Sequence, residues 1–134
     1  MDTADLLDRL SSILVVDDDP TMGDMVVKML SRLGFENVDL ANTMVQAESL
    51  IRNETYQLVI SDLYLKPGGG LELLSAIRSH AQNSETSFLL MTGSVGGSVA
   101  ATLCGANGYI LKPFTHEQLK AKLERIGRPQ IRVA

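Results

Sequence analysis

The chain has 134 residues, 45% of them apolar and 21% charged; this is the size of one domain able to bury its own core, and too apolar for a disordered segment. Twelve Lys and Arg against sixteen Asp and Glu leave a net charge of −4, which argues against a nucleic-acid clamp built on a basic stripe. The single cysteine, Cys104, cannot close an internal disulfide, and no Cys/His cluster has zinc-ligand spacing, so a reducing compartment is expected.

Residues 2–10 read as a short amphipathic turn in which Leu6, Leu7 and Leu10 are apolar. Its acids, Asp2, Asp5 and Asp8, are unlike the basic start of a signal peptide. The longest clean apolar runs, 13–16 and 88–91, are four residues each, far short of a membrane span. A cytoplasmic protein is expected, with neither a membrane nor a nucleic acid as direct partner.

Residues 12–16 form a first strand, apolar on both faces as a buried parallel strand is. Asp19-Pro20 then supplies an N-cap and first helical position. Met22, Met25/Val26, Met29/Leu30 and Leu33 recur at helical spacing until Gly34 closes the helix, and the methionines read as core filler. A weak second strand covers 37–41. The second helix covers 43–53, with Thr43-x-x-Gln46 as a capping box. A third strand at 57–61, a third helix at 70–80 and a fourth strand at 87–91 follow. Helix four is placed at 95–104, its first turn weakened by Gly96-Gly97, with Cys104 as a small residue of its packed side. After a fifth strand at 109–111, Thr115-x-x-Gln118 forms a capping box and Phe114 with Leu119 a hydrophobic staple. Leu119, Leu123 and Ile126 line the fifth helix, which Gly127 ends.

Five strand–helix units imply a parallel α/β sheet with right-handed crossovers and helices on both faces. Chemistry in such sheets gathers beyond the carboxyl ends of the strands. There the first strand presents Asp17-Asp18-Asp19, the third Asp62, the fourth Thr92 and the fifth Lys112-Pro113. Asp17, Asp18 and Asp62 brought together repel unless a cation sits among them. Oxygen donors without His or Cys favour Mg²⁺, which takes one or two carboxylates plus water and phosphate oxygens. Lys112 and Thr92 suit a phosphoryl group, and a carboxylate is a competent phosphoryl acceptor.

Val15-Val16-Asp17-Asp18-Asp19-Pro20, Val59-Ile60-Ser61-Asp62, Met91-Thr92-Gly93 and the run from Gly105 through Tyr109 to Lys112-Pro113-Phe114 resemble, in order and spacing, the receiver domain of two-component response regulators. The resemblance spans about residues 11–127. It implies a doubly wound five-stranded parallel sheet of order 2-1-3-4-5, the flavodoxin-like receiver fold, with 1–10 as an extension and 128–134 as a tail. It implies Asp62 as phosphoacceptor, and Mg²⁺ held by Asp18 directly, by Asp17 through water, by Asp62 and by the Tyr64 backbone carbonyl. Thr92 and Lys112 then contact the phosphoryl oxygens, and Tyr109 is an aromatic switch. The donor is a phosphohistidine on a sensor histidine kinase or phosphotransfer protein. The output is a changed helix-four/strand-five/helix-five surface that regulates a downstream target, in chemotaxis or another phosphorelay, from a monomer or a phosphorylation-dependent dimer. The chain departs from the family pattern at Lys66, where Pro is common, at Gly69, where an acid is common, and in the glycine-rich stretch 93–98.

Tyr64 and Ser94, two residues past Asp62 and Thr92, are expected to set phosphoryl lifetime, the phenol ring shielding the acyl phosphate from water. Asp17-Asp18-Asp19-Pro20-Thr21 also fits the D-x-D-x-T signature of haloacid-dehalogenase-type phosphatases, with Asp17 as nucleophile and Asp19 as general acid. That rival lacks a late acidic pair and leaves Asp62 without a role. A third reading is a receiver-like docking module that is never phosphorylated.

Overall fold

The computed structural model describes residues 3–65, 69–93 and 105–127. Strands β1 (Ile13–Val16), β2 (Val38–Ala41), β3 (Leu58–Asp62), β4 (Ser87–Thr92) and β5 (Gly108–Leu111) form one parallel sheet in the expected order, β2-β1-β3-β4-β5. Register aligns Val15 with Leu40 and Ile60, Ile60 with Leu89, and Leu90 with Tyr109.

Alternation along the strands divides the core in two. Ile13, Val15, Ile60, Leu89 and Met91 face one side, packed with α2 (Pro20–Arg32) and α5 (His116–Ile126). Leu14, Val16, Val59, Phe88 and Leu90 face the other, packed with α3 (Met44–Asn53) and α4 (Gly70–Ser79). The central strands are buried on both faces, which is why their sequences are continuous apolar runs. Residues 3–10 pack on the domain, with a helix rather than a turn. Thr3–Arg9 form a helix, α1, and Leu6 and Leu10 are buried in the first core cluster.

The helix signals act largely as their chemistry dictates. The Asp19 carboxylate accepts from the Thr21 and Met22 amides at 3.0 and 3.4 Å. Gly34 adopts φ +104°, and the Phe35 and Gly34 amides return to the carbonyls of Leu30 and Ser31, closing α2 with a Schellman motif. Thr115 and Gln118 form the full capping box, with Phe114 and Leu119 both buried beneath it. The box at Thr43 is displaced by one residue: its hydroxyl accepts from Gln46 N–H, but Gln46 Oε1 accepts from Asn42 N–H. Met25 is a correction to the core assignment, 45% exposed because the buried stripe of α2 runs through Val26, Met29 and Leu30. The third helix stops at Ser79, one residue short of His80, and a 3₁₀ turn, Ala81–Asn83, follows. The helix expected at 95–104, with Cys104, lies outside the described residues.

At the amino-terminal ends of the strands, Tyr56 is 2% exposed and donates its hydroxyl to Asp39 Oδ2 at 2.6 Å. Burial first, then the hydrogen bond to Asp39 and the charges of Asp39 and Glu54, push the phenol well above its ordinary range. The folded state therefore keeps the proton that the unfolded chain releases above pH about 10, so this stabilisation is present below that pH and declines above it. Tyr56→Phe is expected to cost about 2 kcal/mol at neutral pH, as for a hydrogen bond to a charged acceptor. It is also expected to flatten the alkaline loss of stability. Urea midpoints measured from neutral to alkaline pH check both effects; an unchanged alkaline slope would assign it to another group.

Candidate functional site: an acidic cluster at the carboxyl ends of the strands

Hydrogen bonds continue the sheet ladder one residue past the strand ends and so fix the residues that leave it. Asp17 N–H donates to Ala41 O at 3.1 Å, Leu63 N–H to Met91 O at 2.9 Å and Lys112 N–H to Thr92 O at 2.8 Å. The side chains of Asp17, Asp62 and Lys112 thus leave a rigid rim. Asp17, Asp18 and Asp62 each offer a carboxylate oxygen, all within 4.8 Å of one another. Lys112 Nζ lies 3.4 Å from Asp17 Oδ2 and 3.2 Å from Asp62 Oδ2. Residues up to 95 positions apart in sequence meet here.

The three carboxylates have unequal surroundings. Asp17 is fully buried, whereas Asp18 is half-buried and the Asp62 side chain is 13% exposed. Burial pushes the Asp17 carboxyl up from its ordinary range. The Asp19 amide, donating to Asp17 Oδ1 at 2.9 Å, and the Lys112 ammonium oppose that rise, while the Asp62 charge adds to it. Among the described residues one ammonium is shared by two of the three carboxylates, which leaves the cluster short of positive charge. The all-oxygen donor set therefore fits a hard divalent cation.

Thr92 is buried at the end of β4. Tyr109 is half-buried on β5 opposite Leu90, with Lys122 Nζ 4.9 Å from its ring centroid, a cation–π distance. Leu111 pairs with Thr92, so Thr92 and Tyr109 lie diagonally on one face of the sheet. Tyr64 is 71% exposed, its backbone bridged to Gly69. Ser94 lies outside the described residues.

Asp19, adjacent to the cluster, is committed elsewhere. Its carboxylate caps α2 through Oδ1, a structural role that does not need the general acid of a phosphatase using Asp17 as nucleophile. Asn42, at the carboxyl end of β2, went unmarked by motif or spacing. Its Nδ2 donates to Asp17 O at 3.0 Å and holds the peptide between the two acids. The signal for it was positional: a polar residue at a strand end on the same rim.

Residues 13–124 match the family model of the response regulator receiver domain. The chain is 38% identical over 115 residues to chemotaxis protein CheY1 of Helicobacter pylori, covering 84% of this chain and 93% of that one. Among solved structures, chemotaxis response regulator CheY4 of Vibrio cholerae superposes with a TM-score of 0.80 at 27% identity, covering 87% of this chain and 98% of that one. The receiver domain of a sensor histidine kinase from Pseudomonas aeruginosa, described with a magnesium ion coordinated in its active-site cleft, does so with a TM-score of 0.80 at 26% identity, covering 88% and 98%. The chain therefore belongs to the response regulator receiver domains, the phosphorylation-dependent switches of two-component signalling, with relatives among the chemotaxis regulators.

Proposed function

We propose that Asp62 is the phosphoacceptor, taking its phosphoryl group from a phosphohistidine of a sensor histidine kinase or phosphotransfer protein. The observation that carries this is the convergence of Asp17, Asp18 and Asp62 with Lys112 bridging Asp17 and Asp62. An Asp62 carboxylate oxygen attacks phosphorus. The P–N bond to the donor imidazole breaks, and the imidazole leaves with the electron pair and takes up a proton. Lys112 offsets charge on the phosphoryl oxygens, and the Thr92 hydroxyl donates to one of them. Asp17, Asp18, Asp62 and the Tyr64 backbone carbonyl would hold Mg²⁺, which when bound supplies positive charge to the phosphoryl oxygens. Hydrolysis of the acyl phosphate by water, assisted by the same site, returns Asp62 to a carboxylate and resets the switch. Tyr64, largely exposed at the rim, and Ser94 tune that step.

The added charge and acceptors at Asp62 bias Thr92 and, on the same sheet face, Tyr109 between two positions. The surface made by the helix expected at 95–104 together with β5 and α5 then engages a downstream target protein, in chemotaxis or a related phosphorelay. The domain is taken as residues 11–127, with 1–10 an extension and 128–134 a tail, acting as a monomer or a phosphorylation-dependent dimer. No helix among the described residues is long and apolar enough to cross a membrane. We place the protein in the cytoplasm, with no membrane or nucleic acid as direct partner.

Incubation with acetyl phosphate and Mg²⁺ is expected to add one phosphoryl group by intact mass, and none after Asp62→Asn or with EDTA. Label retained on Asp62→Asn would remove the assignment. Turnover of phosphomonoesters abolished by Asp17→Asn would favour the phosphatase reading, and an unlabelled wild type the unphosphorylated docking module.

A further inference from the structure

The chain leaving Asp62 folds straight back onto it. Gly70 N–H donates to Leu63 O at 2.8 Å, Tyr64 and Gly69 form an antiparallel bridge, and α4 starts at Gly70. The first residue of α4 therefore lies against the peptide that carries the acceptor. A Cβ at Gly70 would fall far inside contact distance of the Asp62 carbonyl oxygen, 3.2 Å from its carbonyl carbon and 3.1 Å from Leu90 Cδ1. Neither side yields easily. Ser61 Oγ donates to that carbonyl at 3.0 Å, and Leu63 N–H, the other end of the same peptide, is bound to Met91 O.

Backbone conformation is not why position 70 needs glycine. Among the described residues only Gly34 and Gly105 have positive φ, and helix propensity alone favours Ala. Space is the reason. Gly69 provides an internal contrast: among the described residues, a Cβ there would meet only Leu63 O, at 3.3 Å, a contact that a small shift relieves.

We propose that Gly70 is a positioning residue for the phosphoryl-accepting site. By letting α4 rest on the Asp62–Leu63 peptide, it sets the direction of the Asp62 carboxylate and the place of the Tyr64 carbonyl. A methyl group at 70 has to tilt that peptide or push α4 away, and both movements spoil the alignment of two oxygen donors. This inference rests on the proposed reading of Asp62 as acceptor.

The test compares wild type, Gly70→Ala and Gly69→Ala in thermal melts without metal, in Mg²⁺ affinity by calorimetry, and in phosphorylation by acetyl phosphate at saturating Mg²⁺. Gly70→Ala is expected to melt cooperatively, to bind Mg²⁺ about tenfold more weakly and to be phosphorylated about 10²-fold more slowly, the scale of an ångström misplacement. Gly69→Ala is expected to track wild type. Equal Mg²⁺ affinity and rate for Gly70→Ala and wild type would overturn the proposal, as would an equal loss at Gly69→Ala. A Gly70→Ala protein without a cooperative melt even in the cold with saturating Mg²⁺ would assign the residue to the fold and overturn it too. Wild type that takes no phosphoryl group overturns the acceptor reading itself, and is separate from a labelled wild type matched by Gly70→Ala.

Discussion

Lys112→Ala is expected to slow phosphorylation of Asp62 by acetyl phosphate by about 10²–10³-fold, the usual cost of removing a preorganised group from developing transition-state charge. The ammonium needs no reorganisation to act. Its stem leaves a residue whose amide is held by Thr92 O at 2.8 Å, and Nζ already lies 3.2 Å from the acceptor carboxylate. The same substitution has a second consequence of opposite sign. Lys112 competes with any cation for Asp17 and Asp62, so its removal is expected to tighten Mg²⁺ binding even as the rate falls. A titration of the rate against Mg²⁺ separates the two effects. A lower half-saturation with a lower plateau is the expected pattern; an unchanged plateau would show that Lys112 serves only to offset the charge of Asp17 and Asp62.

Asn83→Leu is expected to lower the thermal midpoint by about 15 °C while leaving phosphorylation of the folded protein intact. Asn83 is 1% exposed and uses its whole side chain. Nδ2 donates to Ile51 O at 2.8 Å and Glu54 O at 3.0 Å, and Oδ1 accepts from Tyr56 N–H at 2.9 Å. One amide thus ties the end of α3, the chain entering β3 and the turn before β4. Beside it the Thr86 hydroxyl donates to Tyr56 O at 2.6 Å. Leucine of similar size fills the space but leaves three backbone groups without partners. At 1–3 kcal/mol for each buried group left unsatisfied, partly relieved by relaxation, the loss is about 4 kcal/mol. That corresponds to roughly 4 °C per kcal/mol for a domain of this size. Circular dichroism melts measure it, and a shift below about 4 °C would mean that water takes over the lost partners. Because Asn83 sits at the end of the sheet opposite Asp62, an equal loss of phosphorylation rate in the folded state would contradict the separation of stability from chemistry.

Lys112 and Asn83 also mark the boundary of what could be read without coordinates. Lys112 was legible because a parallel sheet collects the residues that follow its strands on one rim. Once the apolar runs ending at Val16, Ser61, Met91 and Leu111 are taken as strands, Asp17, Asp62, Thr92 and Lys112 must be neighbours, whatever lies between them. The caps at Asp19 and Thr115 were legible for a related reason, since each is completed within about four residues and depends on local backbone alone. Asn83, Asn42 and Gly70 were not. Asn83 meets its partners across 27 to 32 positions, and nothing in an Asn before Ser84 distinguishes a buried keystone from a turn residue. Gly70, the last of three consecutive glycines, reads only as the start of the third helix; the close approach of α4 to the Asp62 carbonyl is what separates it from Gly69. The unequal burial of Asp17 and Asp18 was likewise hidden, because adjacent residues leaving a strand point to different sides and the packing above the sheet decides which side is covered. Periodicity and local hydrogen bonding thus determined the elements, their order and the membership of the acidic site. Tertiary packing alone decided which of these residues are desolvated and which distant groups hold them in place, because desolvation and close contact depend on what the rest of the chain puts beside a residue.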